Sequence, residues 1–194
     1  MGIGRCTVEG LGVMFLQDVW NDIVKHLHSI DAKNGLPEDV FLAVSTLVPI
    51  VNVDLLVLDD ENHILLIRRN DPFFGEGWHI PGGCVRFKET MAERVNKTAL
   101  TELSCAVTFD PTPIAVRDVI IKEQREALSF KNHRAHHLAV LYRCHLPEGY
   151  VADNGYKEEN EPGFIKWFAK LPVDLLRVHD VYLDDIKREM RRDI

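Results

Sequence analysis

Two adjacent glycines and the helix predicted after them carry the residues best suited to chemistry in this sequence. The stretch GWHIPGGCVRFKETMAERVNKTALTELSC places Gly82 and Gly83 before Glu89 and Glu102. Because glycine has no Cβ, the backbone can turn tightly there and approach another group closely. A backbone carbonyl from the turn and a helix carboxylate could then meet at one hard cation, which prefers oxygen ligands. A strand, a turn and a helix without any chemical role would use the same glycines, so this pattern alone leaves both interpretations open.

Apolar residues at helical spacing predict the element that must position Glu102. Ala92, Val95, Ala99 and Leu103 recur at three- and four-residue steps, which places them on one face of a helix. The helix is therefore expected to be anchored by this face, with Glu102 available on another.

Strands and further helices are expected around this segment. VPIVNVDLLVL and HILLIRR, separated by DDEN, are typical of a β-hairpin, and PIAVRDVIIKEQ, HHLAVLYRCHL and FIKWF predict three more strands. Helical periodicity predicts a helix between Leu16 and Ile30, a short helix from Val40 to Ser45, and closing helices in VDLLRVHD and YLDDIKREMRR. The pattern predicts an α+β or α/β fold, a sheet sandwiched between helices, with residues 1–36 as a helical extension to a domain of residues 37–194.

Composition excludes several classes of protein. The 194 residues suit one globular domain with an extension, and the net charge of −7 argues against a general nucleic-acid binder. No stretch reaches about 18 uninterrupted apolar residues, and the first residues lack the apolar core of a signal peptide, so we expect neither a membrane partner nor secretion. Four cysteines without a CxxC pair indicate neither a zinc site nor a disulfide framework. A cytoplasmic protein with reduced thiols is expected.

The glycine-helix segment resembles the Nudix box, which is a glycine, five residues, a glutamate, seven residues, then Arg-Glu-apolar-x-Glu-Glu-x-Gly-apolar. Gly83, Glu89 and Glu102 match it. The sequence departs from it at Lys97, Thr98, Thr101, Ser104 and Cys105, which replace the arginine, two glutamates, the glycine and the last apolar residue. The resemblance implies that Glu89 and Lys97 pair to hold the loop on the helix, and that Ser104 strains or recaps the turn at the helix end.

Within the Nudix superfamily, the sequence is most similar to the GDP-mannose mannosyl hydrolases, whose box also ends in a lone glutamate. The similarity extends upstream through PIVNVDLL, LLIRR and the tryptophan before PGG, so that it covers about residues 37–180. It implies a Nudix fold, a mixed sheet flanked by helices. It also implies a site for about one magnesium ion, since two carboxylates of the full box are replaced.

The resemblance carries roles to individual residues. Arg69 matches the arginine that contacts the nucleotide diphosphate, and its guanidinium could stabilise the leaving phosphate. Asp54 matches an aspartate of the substrate pocket. The Gly83 carbonyl and Glu102 match metal ligands, and Glu161 takes the place of a third ligand, a glutamine in the family. The implied cofactor is Mg²⁺, with Mn²⁺ as a substitute.

The general base of the family is a histidine, and its place is taken here by Pro162, which cannot accept a proton. Two alternatives stay open. One is a glutamate of the same loop, Glu158, Glu159 or Glu161, which could activate water directly. The other is a histidine of the NHRAHHLAV stretch, His133, His136 or His137, of which His137 has a counterpart in the family.

These observations predict a magnesium-dependent hydrolase of a nucleoside diphosphate sugar resembling GDP-mannose. Whether water attacks the sugar carbon or phosphorus stays open at this point. The alternative is a Nudix domain that has lost catalysis and binds a nucleotide or a regulatory partner. A homodimer is implied only by the resemblance.

Overall fold

A computed structural model describes residues 8–71, 74–120 and 136–191 of the chain. Its helices are α1 (Val8–His28), α2 (Glu38–Ser45), α3 (Met91–Glu102) and α4 (Leu183–Glu189), with short 3₁₀ helices at Ala32–Asn34 and Arg177–Tyr182. Its strands are β1 (Ile50–Val57), β2 (Ile64–Asp71), β3 (Gly75–His79), β4 (Gly82–Cys84), β5 (Thr108–Phe109), β6 (Ala115–Ile120), β7 (His136–His145) and β8 (Ile165–Phe168). The fold is mixed α+β, with sheets flanked by helices, as the sequence predicts.

The chain divides into two compact units, residues 1–36 and 37–194. The first contains α1, in which several apolar side chains from Leu16 onward are exposed, including Leu16 at 67% and Trp20 at 59%. No helix in the described ranges is long and apolar enough to cross a membrane.

The second unit contains two sheets. In one, β1 lies between β4, which is antiparallel to it, and β7, which is parallel to it, while β5 and β6 pair with β7. In the other, β2 lies between β3 and β8, both antiparallel.

The predicted hairpin is therefore only partly correct. Both of its strands form, but they belong to different sheets and are joined by one isolated bridge between Leu58 and Ile64. The reason is competition for partners, because β4 and β7 occupy both edges of β1, and β3 and β8 occupy both edges of β2.

The predicted tight turn at Gly82 and Gly83 is also wrong in one respect. These residues begin strand β4, and neither has a positive φ. They serve close approach alone: a Cβ on Gly82 would collide with Oδ1 of Asp54, and one on Gly83 would lie 2.8 Å from Oγ1 of Thr98.

Strand alternation in β1 divides the core into two parts. Val53, Leu55 and Val57 pack with Val95 and Ala99 of α3 on one face. On the other face, Leu56 packs with Tyr182 and Ile186 near the C-terminal end. Asp54 belongs to this second face, because alternate side chains of a strand point to opposite sides. The sheet thus separates Asp54 from the apolar face of α3.

Helix α3 begins at a capping box. The Thr90 hydroxyl accepts the Glu93 N–H at 3.2 Å, and Glu93 accepts the Thr90 N–H at 2.7 Å. The predicted apolar face is buried at Val95, Ala99 and Leu103, whereas Ala92 is exposed. The helix is therefore fixed at its start by hydrogen bonds and along its length by packing.

Ser104 provides a test of the strain at the end of α3, because it has a left-handed φ of 57°. Glycine adopts this conformation without a steric penalty, so Ser104→Gly is expected to raise the free energy of unfolding by about 0.5–1 kcal/mol. The β-branched control Ser104→Val should lower it by about 1–2 kcal/mol. Urea unfolding measures both, and a glycine variant less stable than the parent would contradict strain at this turn.

Candidate functional site

A cavity of about 170 Å³ opens where several strands meet in the second unit. Ile50, Asn52 and Asp54 line it as alternate residues of β1, and Arg69 and Asp71 line it as alternate residues of β2. The glycines of β4, the first residues of β7 and part of the Arg177–Tyr182 helix complete much of the wall. Strand periodicity therefore brings residues that are distant in sequence to one cavity.

Asp54 is held in this wall by two hydrogen bonds. It is only 5% exposed; the Tyr182 hydroxyl donates to its Oδ2 at 3.0 Å, and the Asn52 amide donates to its Oδ1 at 2.9 Å. Burial raises the pKa of Asp54 to about 7, with a further contribution from the charge of Glu102, while these hydrogen bonds act in the opposite direction. The structure thus brings Asp54 to the cavity and gives it the partners that a buried strand aspartate needs.

Glu102 approaches the same place from the end of α3. The Gly82 N–H donates to its Oε2 at 3.2 Å, and Gly82 is the register partner of Asp54 across the β1–β4 pair. Burial raises the pKa of Glu102 to about 7, although the charge of Arg69 and the Gly82 hydrogen bond oppose the rise. Two carboxyl groups therefore flank Gly82, and each of them is costly to ionise at neutral pH without a compensating positive charge.

Glu89, the first glutamate of the box, is in the opposite electrostatic situation. Its carboxylate contacts Nζ of Lys97 at 2.9 Å and Nη2 of Arg94 at 2.6 Å, and it accepts the Arg86 N–H at 2.9 Å. Although burial opposes the change, these partners lower the pKa of Glu89 to about 2. The predicted pairing of Glu89 with Lys97 is confirmed.

Arg94 is a partner of Glu89 that sequence reasoning missed. It is buried at 8% exposed, and its Nε donates to Glu89 at 2.8 Å. Its position one helical turn before Lys97 is the available sequence indication, because residues three apart share a helix face. Arg94 and Thr98 cover β4 at Gly83, where Oγ1 of Thr98 has no hydrogen-bond partner among the described residues.

The charge of Arg69 acts on several ionisable groups of the site. Its side chain is 40% exposed, and its Nε lies 3.2 Å from Oδ2 of Asp71. The positive charge of Arg69 acts to lower the pKa of Asp54 and Glu102, and also that of two histidines that line the cavity. Arg69 also lines the cavity, where its guanidinium suits an anionic group of a ligand.

The two histidines are His79 and His179, neither of which was identified from the sequence as a site residue. They are 5% and 4% exposed, and their rings stack with centroids 6.4 Å apart. Burial, followed by the charge of Arg69, lowers the pKa of His79 to about 3. Burial, together with His79, Arg69 and His137, lowers that of His179 well below its usual value. Both are neutral at physiological pH and therefore weak bases.

The loop around Glu161 forms contacts of its own. The Glu161 carboxylate accepts the N–H of Glu158 at 2.7 Å, and Glu159 pairs with Lys166 at 2.6 Å. All three glutamates are exposed. In the residues that the structure describes, no group of three or more His, Cys, Asp or Glu side chains is arranged to hold a metal ion. The assignment of Glu161 as a metal ligand therefore stays a prediction.

The other candidate bases are placed differently. His136 and His137 line the cavity at the start of β7, whereas His133 lies outside the described residues. His136 also approaches Asp118, with 3.6 Å between Nε2 and Oδ1. Of the two alternatives for a base, the histidines of β7 are the ones that line the cavity.

The residues around Gly82 fit a single divalent cation. Asp54 and Glu102 present hard carboxylate oxygens on the two sides of Gly82, and both keep raised pKa values that a cation would lower. Two carboxylates suit one ion that is completed by water or substrate.

Glu102→Gln tests whether ionisation of Glu102 opposes folding without a metal. Its pKa is raised in the folded state from 4.5 to about 7, so wild-type stability falls as the pH rises between these values. The variant has no such proton to lose. In EDTA, it should gain about 1–3 kcal/mol over wild type between about pH 5 and about pH 8, measured by denaturant unfolding.

Glu89→Gln is the matched control, because the pKa of Glu89 is lowered from 4.5 to about 2. Its contribution to stability is complete above the unfolded pKa and is lost only as the pH falls through the folded value. This variant should therefore be destabilised equally at about pH 5 and about pH 8. An equal pH dependence of the two variants would contradict the opposite environments assigned to these glutamates.

Comparison with known proteins identifies the fold. The chain resembles the solved structure of a MutT Nudix hydrolase from Burkholderia pseudomallei, with 23% identity over 72% of this chain and 97% of that one and a TM-score of 0.51. It also resembles a possible asymmetric diadenosine tetraphosphate hydrolase from Jonesia denitrificans, with 16% identity over 76% and 99% of the two chains and a TM-score of 0.54. A UDP-X diphosphatase gives 17% identity over 90% and 82% of the chains and a TM-score of 0.51.

In sequence, the chain is 36% identical over 75 residues to the low-salt glycan biosynthesis protein Agl8 of Haloferax volcanii. The match covers 39% of this chain and about half, 47%, of that relative. No family model matches the sequence. The arrangement of strands and helices around the cavity is therefore that of the Nudix hydrolase fold.

Proposed function

We propose that this chain is a magnesium-dependent hydrolase of a nucleoside diphosphate sugar resembling GDP-mannose. The observations that carry the proposal are the Asp54 carboxyl group, which lines the cavity together with Arg69, and the half-buried Glu102 carboxyl group, which accepts the N–H of the cavity residue Gly82. The carboxyl groups suit a cation, and the guanidinium suits a diphosphate, which are the two charged parts of such a complex.

The positions of these residues give each of them a role in the proposed reaction. A bound magnesium ion would neutralise charge on the diphosphate and orient it for attack by water. Glu102 and Asp54 would lose their protons as the cation binds, because a nearby positive charge favours the ionised carboxylate. Arg69 would hold the phosphate oxygens through paired hydrogen bonds, and its existing contact with Asp71 fixes its direction. Glu89, Arg94 and Lys97 would keep α3 against the neighbouring loop throughout.

The nucleotide-sugar part of the proposal is supported by two relatives. The name of one structural neighbour is UDP-X diphosphatase, and the partial sequence match is to a glycan biosynthesis protein. The cavity is smaller than the roughly 300–1,000 Å³ of many ligand sites, so it suits one ring-sized part of a substrate whose remainder lies outside.

The water-activating base is proposed among the histidines that line the cavity. His137 and His136 lie on its wall, whereas Glu158, Glu159 and Glu161 are exposed and two of them are engaged in contacts of their own. A base at either histidine would assist attack on the sugar carbon or on phosphorus, depending on which atom lies nearest. The position of an oxygen-18 label in the products distinguishes the two bonds.

A second candidate function is a nucleotide-binding or regulatory module that has lost catalysis. Thr98 and Thr101 stand where the Nudix box has glutamates, and Glu161 caps its own loop, which favours this alternative. Asp54, Arg69 and Glu102 would bind nucleotide in either case, so turnover decides between the two candidates.

A hydrolysis screen of nucleoside diphosphate sugars with Mg²⁺ in oxygen-18 water, read by phosphorus NMR, tests the proposal. At least one of GDP-mannose and UDP-glucose should be hydrolysed, and EDTA should abolish this hydrolysis. Glu102→Gln should lower the rate by about 100-fold or more, because it removes a carboxylate ligand of the cation.

Two variants of the acidic loop provide controls. Glu161→Gln should lower turnover and weaken Mg²⁺ binding if Glu161 turns towards the cation, while its exposed neighbour Glu159→Gln should leave both unchanged. Nucleotide binding without any turnover would contradict the hydrolase and favour the binding module.

A further inference from the structure

The stacked histidines His79 and His179 form a polar part of the cavity wall and have no role in the proposed hydrolysis. They line the cavity together with His137, while the carboxyl groups of Asp54 and Glu102 lie near Gly82. A pair of buried polar rings in a cavity wall needs an explanation, because burying polar groups without partners costs free energy.

The hydrogen bond made by His179 determines which of its nitrogens carries the proton. The Ile80 N–H donates to Nε2 of His179 at 3.2 Å. A nitrogen that accepts a hydrogen bond must present its lone pair, so in the neutral ring the proton is on Nδ1. Nδ1–H is therefore a donor with a fixed direction, since the ring is held by Ile80 on one side and by His79 on its face.

This donor has no acceptor in the described part of the chain. Nδ1 of His179 is buried and lacks a hydrogen-bond partner there, although the side chain lines the cavity. Leaving a buried donor unpaired is unfavourable, and native structures nearly always satisfy such groups by protein, water or ligand. An occupant of the cavity can supply that acceptor.

The surroundings indicate the chemistry of that occupant. Both rings are neutral, so this end of the cavity offers hydrogen bonds but no charge of its own. Arg69, a cationic residue of the cavity lining, suits the phosphates. An uncharged oxygen, such as a hydroxyl of a sugar ring, suits the histidine end.

We propose that the cavity beside the His79–His179 pair is the subsite for the sugar of the substrate, and that Nδ1–H of His179 donates a hydrogen bond to a sugar hydroxyl. The proposal rests on the proposed function for the identity of the ligand. His179 is here a specificity-determining residue, and the Nε2 bond to Ile80 holds it in position.

The test compares ligands with and without the sugar by calorimetric titration in EDTA, so that no metal-dependent turnover occurs. GDP-mannose and UDP-glucose are compared with GDP and UDP, using wild type, His179→Gln and His179→Asn. A glutamine side chain can still accept the Ile80 N–H but offers no donor in place of Nδ1–H, whereas asparagine offers that donor and loses the Ile80 bond. His179→Gln should weaken the binding of at least one sugar nucleotide by roughly 3–10-fold and leave the affinity for the matching nucleoside diphosphate unchanged. The affinity for the sugar nucleotide should fall less in His179→Asn.

A measurement on the wild-type protein keeps the test independent of how the variants fold. In protein with nitrogen-15 labelled histidine, one buried ring should be protonated at Nδ1, and its Nδ1–H proton should shift when GDP-mannose or UDP-glucose is added but not with GDP or UDP. Equal shifts with both kinds of ligand, no shift with either, or equal weakening of both in His179→Gln would overturn the subsite. Failure of hydrolysis alone would overturn the proposed function and leave this binding difference intact.

Discussion

The burial of two carboxyl groups on either side of one glycine is the constraint on which the rest of the site depends. Asp54 and Glu102 come from a strand and from the end of a helix, and Gly82 is close to both. Each has a pKa raised to about 7 because burial removes it from water, and the charge of Glu102 adds to the effect on Asp54. A protein that keeps two such groups together either leaves protons on them or supplies a cation.

The surrounding structure holds the two carboxyl groups beside Gly82. The buried Glu89 carboxylate pairs with the buried Arg94 and the exposed Lys97 and so holds the preceding loop on the helix, and the capping box at Thr90 fixes the first turn of the helix. The absence of a side chain at Gly82 allows the strand backbone to approach Asp54. Tyr182, which belongs to the far C-terminal part of the chain, closes the network through Asp54. Contacts from separate parts of the chain therefore oppose the cost of removing the two acids from water.

Local patterns in the sequence predicted most of the larger elements, but VDLLRVHD, predicted as a closing helix, contains a turn and the start of the 3₁₀ helix Arg177–Tyr182 instead. The helix that carries Glu102, the strand that carries Asp54 and the pairing of Glu89 with Lys97 follow from periodicity or from the resemblance to the Nudix box. The separation of the predicted hairpin into two sheets did not follow, because strand pairing depends on partners far away in sequence. Strand β4 was also hidden, since a short glycine-rich strand has the composition of a turn.

The histidine end of the cavity was not predictable for a related reason. His79 precedes the glycines, and His179 lies in a short helix near the end of the chain, so only the folded structure brings their rings into stacking contact. A lone histidine in a sequence carries no indication of burial or of tautomer. The tautomer of His179 depends on the backbone of Ile80, which is 99 residues away in the chain.

Proton release on Mg²⁺ binding is the most direct test of the central claim that these carboxyl groups exchange protons for a cation. Calorimetric titration with Mg²⁺ at about pH 7, in two buffers of different ionisation enthalpy, counts the protons released. The account predicts release of a substantial fraction of a proton by wild type, and a reduced release by Glu102→Gln. Binding of Mg²⁺ without proton release, or release unchanged in the variant, would contradict it.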